Sequence, residues 1–224
     1  IPYEVVEVNP LTKQELKWSS FKKVPVVKLG EEKMNESNSI IDAMAEKVEE
    51  WKRENQKKSS WFGGAKVSPA STEEEAKWRK WVDDRLMKII TANIYRSWGE
   101  SWKTFDYITD HGNFNPATRQ AARLFGTTLM WRVGKGMPKK YNIQGDLREA
   151  LYEALDEWAD AVGDRDFMGG REANLADLAV FGVMRSIVGT PTFHDMLANS
   201  KVLPWYQRMM ELVGESSRTN PVVK

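Results

Sequence analysis

Two kinds of hydrophobic pattern follow one another along the chain. Up to about residue 29 the apolar positions come in short β-branched runs. Tyr3-Glu4-Val5-Val6-Glu7-Val8 reads as a strand ended by the turn signal Asn9-Pro10. Val24-Pro25-Val26-Val27-Lys28-Leu29 reads as a second, closed by Gly30. A short helix from about Leu11 to Leu16 fits between them, and Glu31–Met34 reads as a third short strand. From Ser37 and Ser39 the period becomes helical, through Ile40, Ile41, Met44, Ala45, Val48 and Trp51. It fades over Lys52–Ser60 into a stretch rich in Gly, Ser and Pro that ends near Thr72.

Beyond that stretch the strong periods are all helical. Glu73–Ala92 opens on three glutamates, which suit a helix N-terminus, and carries Trp78, Val82, Leu86, Ile89 and Ile90 on one face. Ala117–Val133 repeats the pattern through Ala121, Leu124, Phe125, Thr128 and Leu129. Asp146–Val162 carries the cleanest stripe, from Leu147, Ala150 and Leu151 to Trp158 and Val162. Leu175–Val188 is apolar nearly all round, as expected of a helix at the centre of a bundle, and Leu203–Val213 closes the series. The predicted fold is α+β. A partial thioredoxin-like domain spans 1–58, a linker 59–72, and an all-helical domain 73–224.

Charge and composition remove several functions. Lys plus Arg number 33 against 32 Asp plus Glu, so no global field draws in nucleic acid or an anionic membrane. The local basic stretch Lys135-Gly136-Met137-Pro138-Lys139-Lys140 reads as a solvated loop. Without cysteine, this chain can form no disulfide, zinc–thiolate site or thiol nucleophile. His111 and His194 stand far apart and read as loop or surface residues, so no metal site is expected. No apolar run reaches the length of a membrane span, which leaves peripheral membrane association open. The chain starts at Ile1 with neither an initiator Met nor a signal peptide, and reads as a processed chain or part of a longer one. Several of the ten tryptophans fall at helical spacing and belong to a core. Trp61, Trp98 and Trp102 lie in or near predicted loops, where they contact a partner or cover the domain's flanks.

Two constellations carry chemistry. The first joins Val24-Pro25 to Glu36-Ser37. In a thioredoxin-like unit, a Val-Pro at this point holds a cis bond that bares neighbouring backbone groups to an extended peptide. Backbone N–H groups and the Ser37 hydroxyl, at a helix start, suit a carboxylate, and Glu36 suits the adjacent ammonium. The plainer alternative is that Pro25 begins an edge strand and Ser37 caps a helix. The second is Asn174-Leu175-Ala176-Asp177, read as a structural capping box rather than as catalytic residues.

At these residues the chain resembles known proteins. Phe167-Met168-Gly169-Gly170 followed by Asn174-Leu175-Ala176-Asp177-Leu178-Ala179 resembles the helical domain of glutathione transferases. Tyr3–Pro10, Lys22-Lys23-Val24-Pro25 and Met34-Asn35-Glu36-Ser37 resemble the microsomal prostaglandin E synthase type 2 family. So do Lys77–Asp84, Asn93-Ile94-Tyr95-Arg96, Phe105–Ile108 and Pro204-Trp205-Tyr206, in order over nearly the whole chain. The resemblance implies a thioredoxin-like domain joined to a glutathione-transferase-like helical domain. It implies glutathione bound at Val24, Pro25, Glu36 and Ser37, with Glu36 standing where the family usually has Asp. It also implies isomerisation of prostaglandin H2 to E2 or, with haem bound, its degradation. Haem would need glutathione or an upstream residue as ligand, since neither His falls in a motif.

The family's Cys-Pro-Phe-Cys motif would precede Tyr3, so no catalytic residue is expected within this chain. The strand that carries it would also flank Tyr3–Val8. The resemblance therefore predicts a segment without neighbours, completed by a longer protein, by a partner or by rearrangement. Two functions follow. One is a glutathione-dependent isomerase or transferase with its cysteines upstream. The other is a non-catalytic accessory or scaffold subunit, as a homodimer or within a larger assembly. An organelle (mitochondrion or plastid) or a membrane surface is the expected location, rather than secretion.

Overall fold

The two-residue turn Gly30-Glu31, with Gly30 at a φ of 60°, folds one short strand back on the next. Strand β1 (Val26–Leu29) and strand β2 (Glu32–Asn35) run antiparallel, Val26 opposite Asn35 and Leu29 opposite Glu32. Helix α1 (Ser37–Asn55) starts two residues beyond β2. The computed structural model describes residues 2–9, 12–55, 73–111 and 116–220. The chain divides into two compact units, residues 1–64 with 217–223 and residues 65–216. The predicted linker, 59–72, lies outside the described residues, and Trp61 with it. In the first unit, Met34 of β2 and Leu16 are buried, the latter ending a single 3-10 turn, Gln14–Leu16. Of the helix expected from about Leu11 to Leu16, this turn is all that forms among the described residues, since Lys13 before it is left-handed at a φ of 49°.

Tyr3–Val8 is not a strand. A strand exists through its ladder, and this segment has one isolated parallel bridge, Tyr3 to Arg218. Tyr3 N–H donates to Ser217 C=O at 3.3 Å, and Thr219 N–H to Tyr3 C=O at 2.8 Å. Further along, the Asn220 side chain replaces a strand's backbone. Its Oδ1 accepts from Val5 N–H at 2.9 Å and its Nδ2 donates to Val5 C=O at 2.7 Å. Residues 217–220 therefore lie with the first unit, although the sequence pattern assigns them to the helical half.

The second unit is helical. Helices α2 (Glu73–Trp81) and α3 (Met87–Ile94) are continuous through one π turn, Val82–Leu86. Then follow α4 (Trp98–His111), α5 (Pro116–Tyr141), α6 (Leu147–Val162), α7 (Leu175–Arg185), α8 (Pro191–Asn199) and α9 (Leu203–Val213). Three expectations change. Trp98 and Trp102 stand on a helix, one turn apart, stacked at 5.1 Å; Ser97 Oγ accepts the Glu100 N–H at 3.1 Å where that helix starts. The Lys135–Lys140 stretch is the last part of α5, not a loop, with Pro138 inside the helix. The predicted helix to Val188 ends at Arg185, and α8 begins on Pro191, whose ring suits a first helical turn.

The core forms where α2, α6, α7 and α9 meet. Trp158 is wholly buried and meets Trp78 and Trp205 edge to face, each at 5.3 Å. Leu86, Leu151, Leu155, Val180, Met184 and Met209 fill the space around them. The fold is thus a partial thioredoxin-like unit, a hairpin and helix, followed by an all-helical domain of the glutathione-transferase type.

Candidate functional site

The hairpin brings the first constellation together. Its last ladder pair is Val26–Asn35. One residue beyond that pair on each strand stand Pro25 and Glu36, followed outward by Val24 and Ser37. All four are exposed. The Val24–Pro25 peptide is cis. Glu36 has a φ of 66°, in the left-handed region that L side chains occupy at a cost of about 1–2 kcal/mol. Such backbone is found disproportionately at binding sites. The left-handed residue turns the chain from β2 directly into α1, and its C=O accepts the Ile40 N–H at 3.0 Å. Ser37, Asn38 and Ser39 thereby form the first turn of a 19-residue helix, whose N-terminal N–H groups favour an anion. A carboxylate can bind at this helix start, and a cation beside it at Glu36. An extended peptide backbone can lie against the Pro25 bend.

The second constellation lies in the helical unit. Asn174 Oδ1 accepts from Ala176 and Asp177 N–H at 2.9 and 3.2 Å. Asp177 Oδ2 accepts from Asn174 N–H at 2.9 Å, which closes the box. Asp177 is fully buried and takes further bonds from Met168 N–H and Trp205 Nε1, each at 2.9 Å. All its ligands are protein donors, so it anchors a fold rather than a reaction.

A polar cleft of 910 Å³ opens beside α4, the start of α6 and α8. Arg148 forms its floor, almost wholly buried, between two carboxylates. Its Nη2 meets Glu100 Oε1 at 2.7 Å and its Nε lies 2.8 Å from Asp195 Oδ2. Asp195 also accepts the Tyr152 hydroxyl at 3.0 Å. Burial, with that bond to the carboxylate, holds the Tyr152 phenol above its ordinary range. No local sequence pattern marks this cleft, because its residues come from three distant segments. One signal was present: Arg148 lies on the same helical face as Leu151 and Leu155, a charge on an apolar stripe.

His194 is exposed at the cleft, its ring 5.7 Å from Phe193. Charged side chains line that space, which does not suit a porphyrin. The lining of that cleft does not fit haem, and no step is routed through it. Among the described residues no cluster of His, Asp or Glu is arranged to hold a metal ion. No helix there is long and apolar enough to cross a membrane.

No family model matches the chain. Individual proteins do. It is 38% identical over 242 aligned residues to prostaglandin E synthase 2 of Danio rerio, covering 94% of this chain and 64% of that protein. It is 34% identical over 258 aligned residues to prostaglandin E synthase 2 of Mus musculus, covering 99% and 66%. The chain thus spans just under two thirds of the length of these relatives.

Proposed function

We propose a function from one premise: the chain belongs to the prostaglandin E synthase 2 family. It contains no cysteine, so no thiolate of this chain can attack or be oxidised. Its proposed role is to bind glutathione for an isomerase or transferase reaction of the prostaglandin E synthase type. The observation that carries this reading is the placement of Pro25 opposite Glu36, with the start of α1 next to both. Glutathione has a zwitterionic end and an extended peptide backbone. The helix start and Ser37 suit its carboxylate, Glu36 its ammonium, and the Val24–Pro25 bend its backbone. Calorimetric titration of the full chain with reduced glutathione tests this. Saturable binding supports it, and no heat at millimolar ligand overturns it.

The exposed Trp98, stacked on Trp102 of α4, favours a second reading, a non-catalytic accessory subunit. Size-exclusion chromatography of native extract separates the two. Elution within a large assembly supports the accessory role, and elution as a free monomer or dimer opposes it.

A further inference from the structure

The polar cleft of the helical unit has no part in the glutathione reading, and its charges do not cancel. Arg96, Glu100, Lys103 and Tyr107 line it at intervals of four, three and four, along α4 and the turn before it. Helix α8 contributes His194 and Asp195, and Arg148 of α6 the floor.

Four carboxylates line the space, and guanidiniums balance all of them. Arg148 bonds to both Glu100 and Asp195, and Arg96 lies 3.5 Å from Glu100, so two cations meet two anions. Asp106 and Asp110 are paired from behind, with Arg123 and Arg119 of α5. That pairing follows from how α5 is turned. Its small residues face α4, with Gly126 against the Phe105 ring, while Leu124, Phe125 and Leu129 are exposed. One cation is left over. Lys103 is exposed to the cleft and forms no ion pair among the described residues. The ring nitrogens of His194 make no hydrogen bond among those residues either.

We propose that this cleft binds a small organic phosphate. Lys103, Arg96 and His194 bring N–H donors to the phosphate oxygens, and the uncancelled charge of Lys103 selects an anion. The carboxylates do not oppose it, because each already faces a guanidinium. A phosphate monoester gains more from Lys103 than a carboxylate does, since it carries up to two charges. Its three free oxygens also match three separate donors. The cleft's 910 Å³ is far more than inorganic phosphate needs and lies in the range of small-molecule sites, about 300–1,000 Å³. The organic part has a wall of its own in Tyr107 and Pro191. Gly189, in the turn before α8, lies against the Tyr107 ring where any side chain would collide, so the ring is seated on that wall.

The full chain is titrated calorimetrically, at low salt, with phenyl phosphate, inorganic phosphate and benzoate. Saturable binding of phenyl phosphate is expected, about tenfold tighter than inorganic phosphate through the burial of its ring. It should be about fivefold tighter than benzoate, which has the ring and one charge. Lys103→Gln should weaken phenyl phosphate by about fivefold with an unchanged urea midpoint, because the side chain is exposed, and Lys103→Arg should restore it. Glu36→Gln and saturating glutathione should leave it unchanged, so the two sites stand or fall separately. No saturable binding at millimolar phenyl phosphate overturns the proposal, as does binding indifferent to Lys103→Gln or displaced by glutathione. So does equal affinity for phenyl phosphate and either of the other two anions.

Discussion

Asp177 accepts the indole N–H of Trp205 at 2.9 Å, 28 positions further along the chain. One buried carboxylate thus ties the start of α7 to α9 and, through Met168, to the loop before it. Asp177→Ala leaves buried donors without partners, so it should destabilise the fold by about 4 kcal/mol in urea titration. Trp205→Phe removes one donor and keeps the capping box, and should cost about 1–3 kcal/mol. If Asp177→Ala unfolds no earlier than Trp205→Phe, the carboxylate is not the organising group.

Glu36 combines a proposed ligand role with an unfavourable backbone. Its φ of 66° suits glycine better than any L residue. Glu36→Gly should therefore raise stability by about 1 kcal/mol while weakening glutathione. Glu36→Gln keeps the backbone cost and loses the charge. It should weaken glutathione by about fivefold, the worth of one exposed ion pair, with an unchanged urea midpoint. A Glu36→Gly variant that is less stable and binds normally would remove both parts of the argument.

Where the sequence speaks clearly, one local rule acts alone. The stripe of α6, the cap at Asn174 and the turn at Gly30 each follow from a few neighbouring residues. Pro25 and Glu36 are legible as a pair because a tight hairpin makes neighbours of them. The rest needs tertiary knowledge. Tyr3–Val8 has a strand's alternation, yet whether it becomes a strand depends on what lies next to it, and that proves to be Ser217–Asn220. Helix α8, with nine residues, is too short for its period to be distinctive. The stripe of α5 gives its period but not its direction. The inward side is chosen by Gly126 and Gly134, which allow close approach, and nothing in a periodicity count rewards a glycine.

Tyr95 sits buried at the end of α3, and burial holds its phenol above its ordinary pKa because the phenolate loses its hydration. The unfolded chain gives up this proton first, at about pH 10. Tyr95 therefore contributes stability that is full below about pH 10 and is lost as the pH rises from there through the folded-state pKa. Tyr95→Phe has no proton to lose. Its urea midpoint should fall less steeply above about pH 10 than that of the parent. The slope will not vanish, because burial also raises Tyr206 and Tyr152. Equal slopes for the two proteins would place the alkaline loss elsewhere.

Gly134 and Gly136 stand two residues apart in α5 and should respond oppositely to the same change. In a helix, alanine is better than glycine by about 1 kcal/mol, since it confines the unfolded chain. At Gly136 an added Cβ meets nothing within 4 Å, so Gly136→Ala should stabilise by about that amount. At Gly134 the Cβ would lie 2.3 Å from the Tyr95 carbonyl oxygen. That atom is backbone at the end of α3 and cannot turn aside, so α5 itself must move. Gly134→Ala should destabilise by about 2–3 kcal/mol despite its better propensity. Thermal denaturation of both variants checks the pair, which share helix, solvent and chemistry. A gain at both positions would mean that α5 does not pack against Tyr95, and that its inward side lies elsewhere.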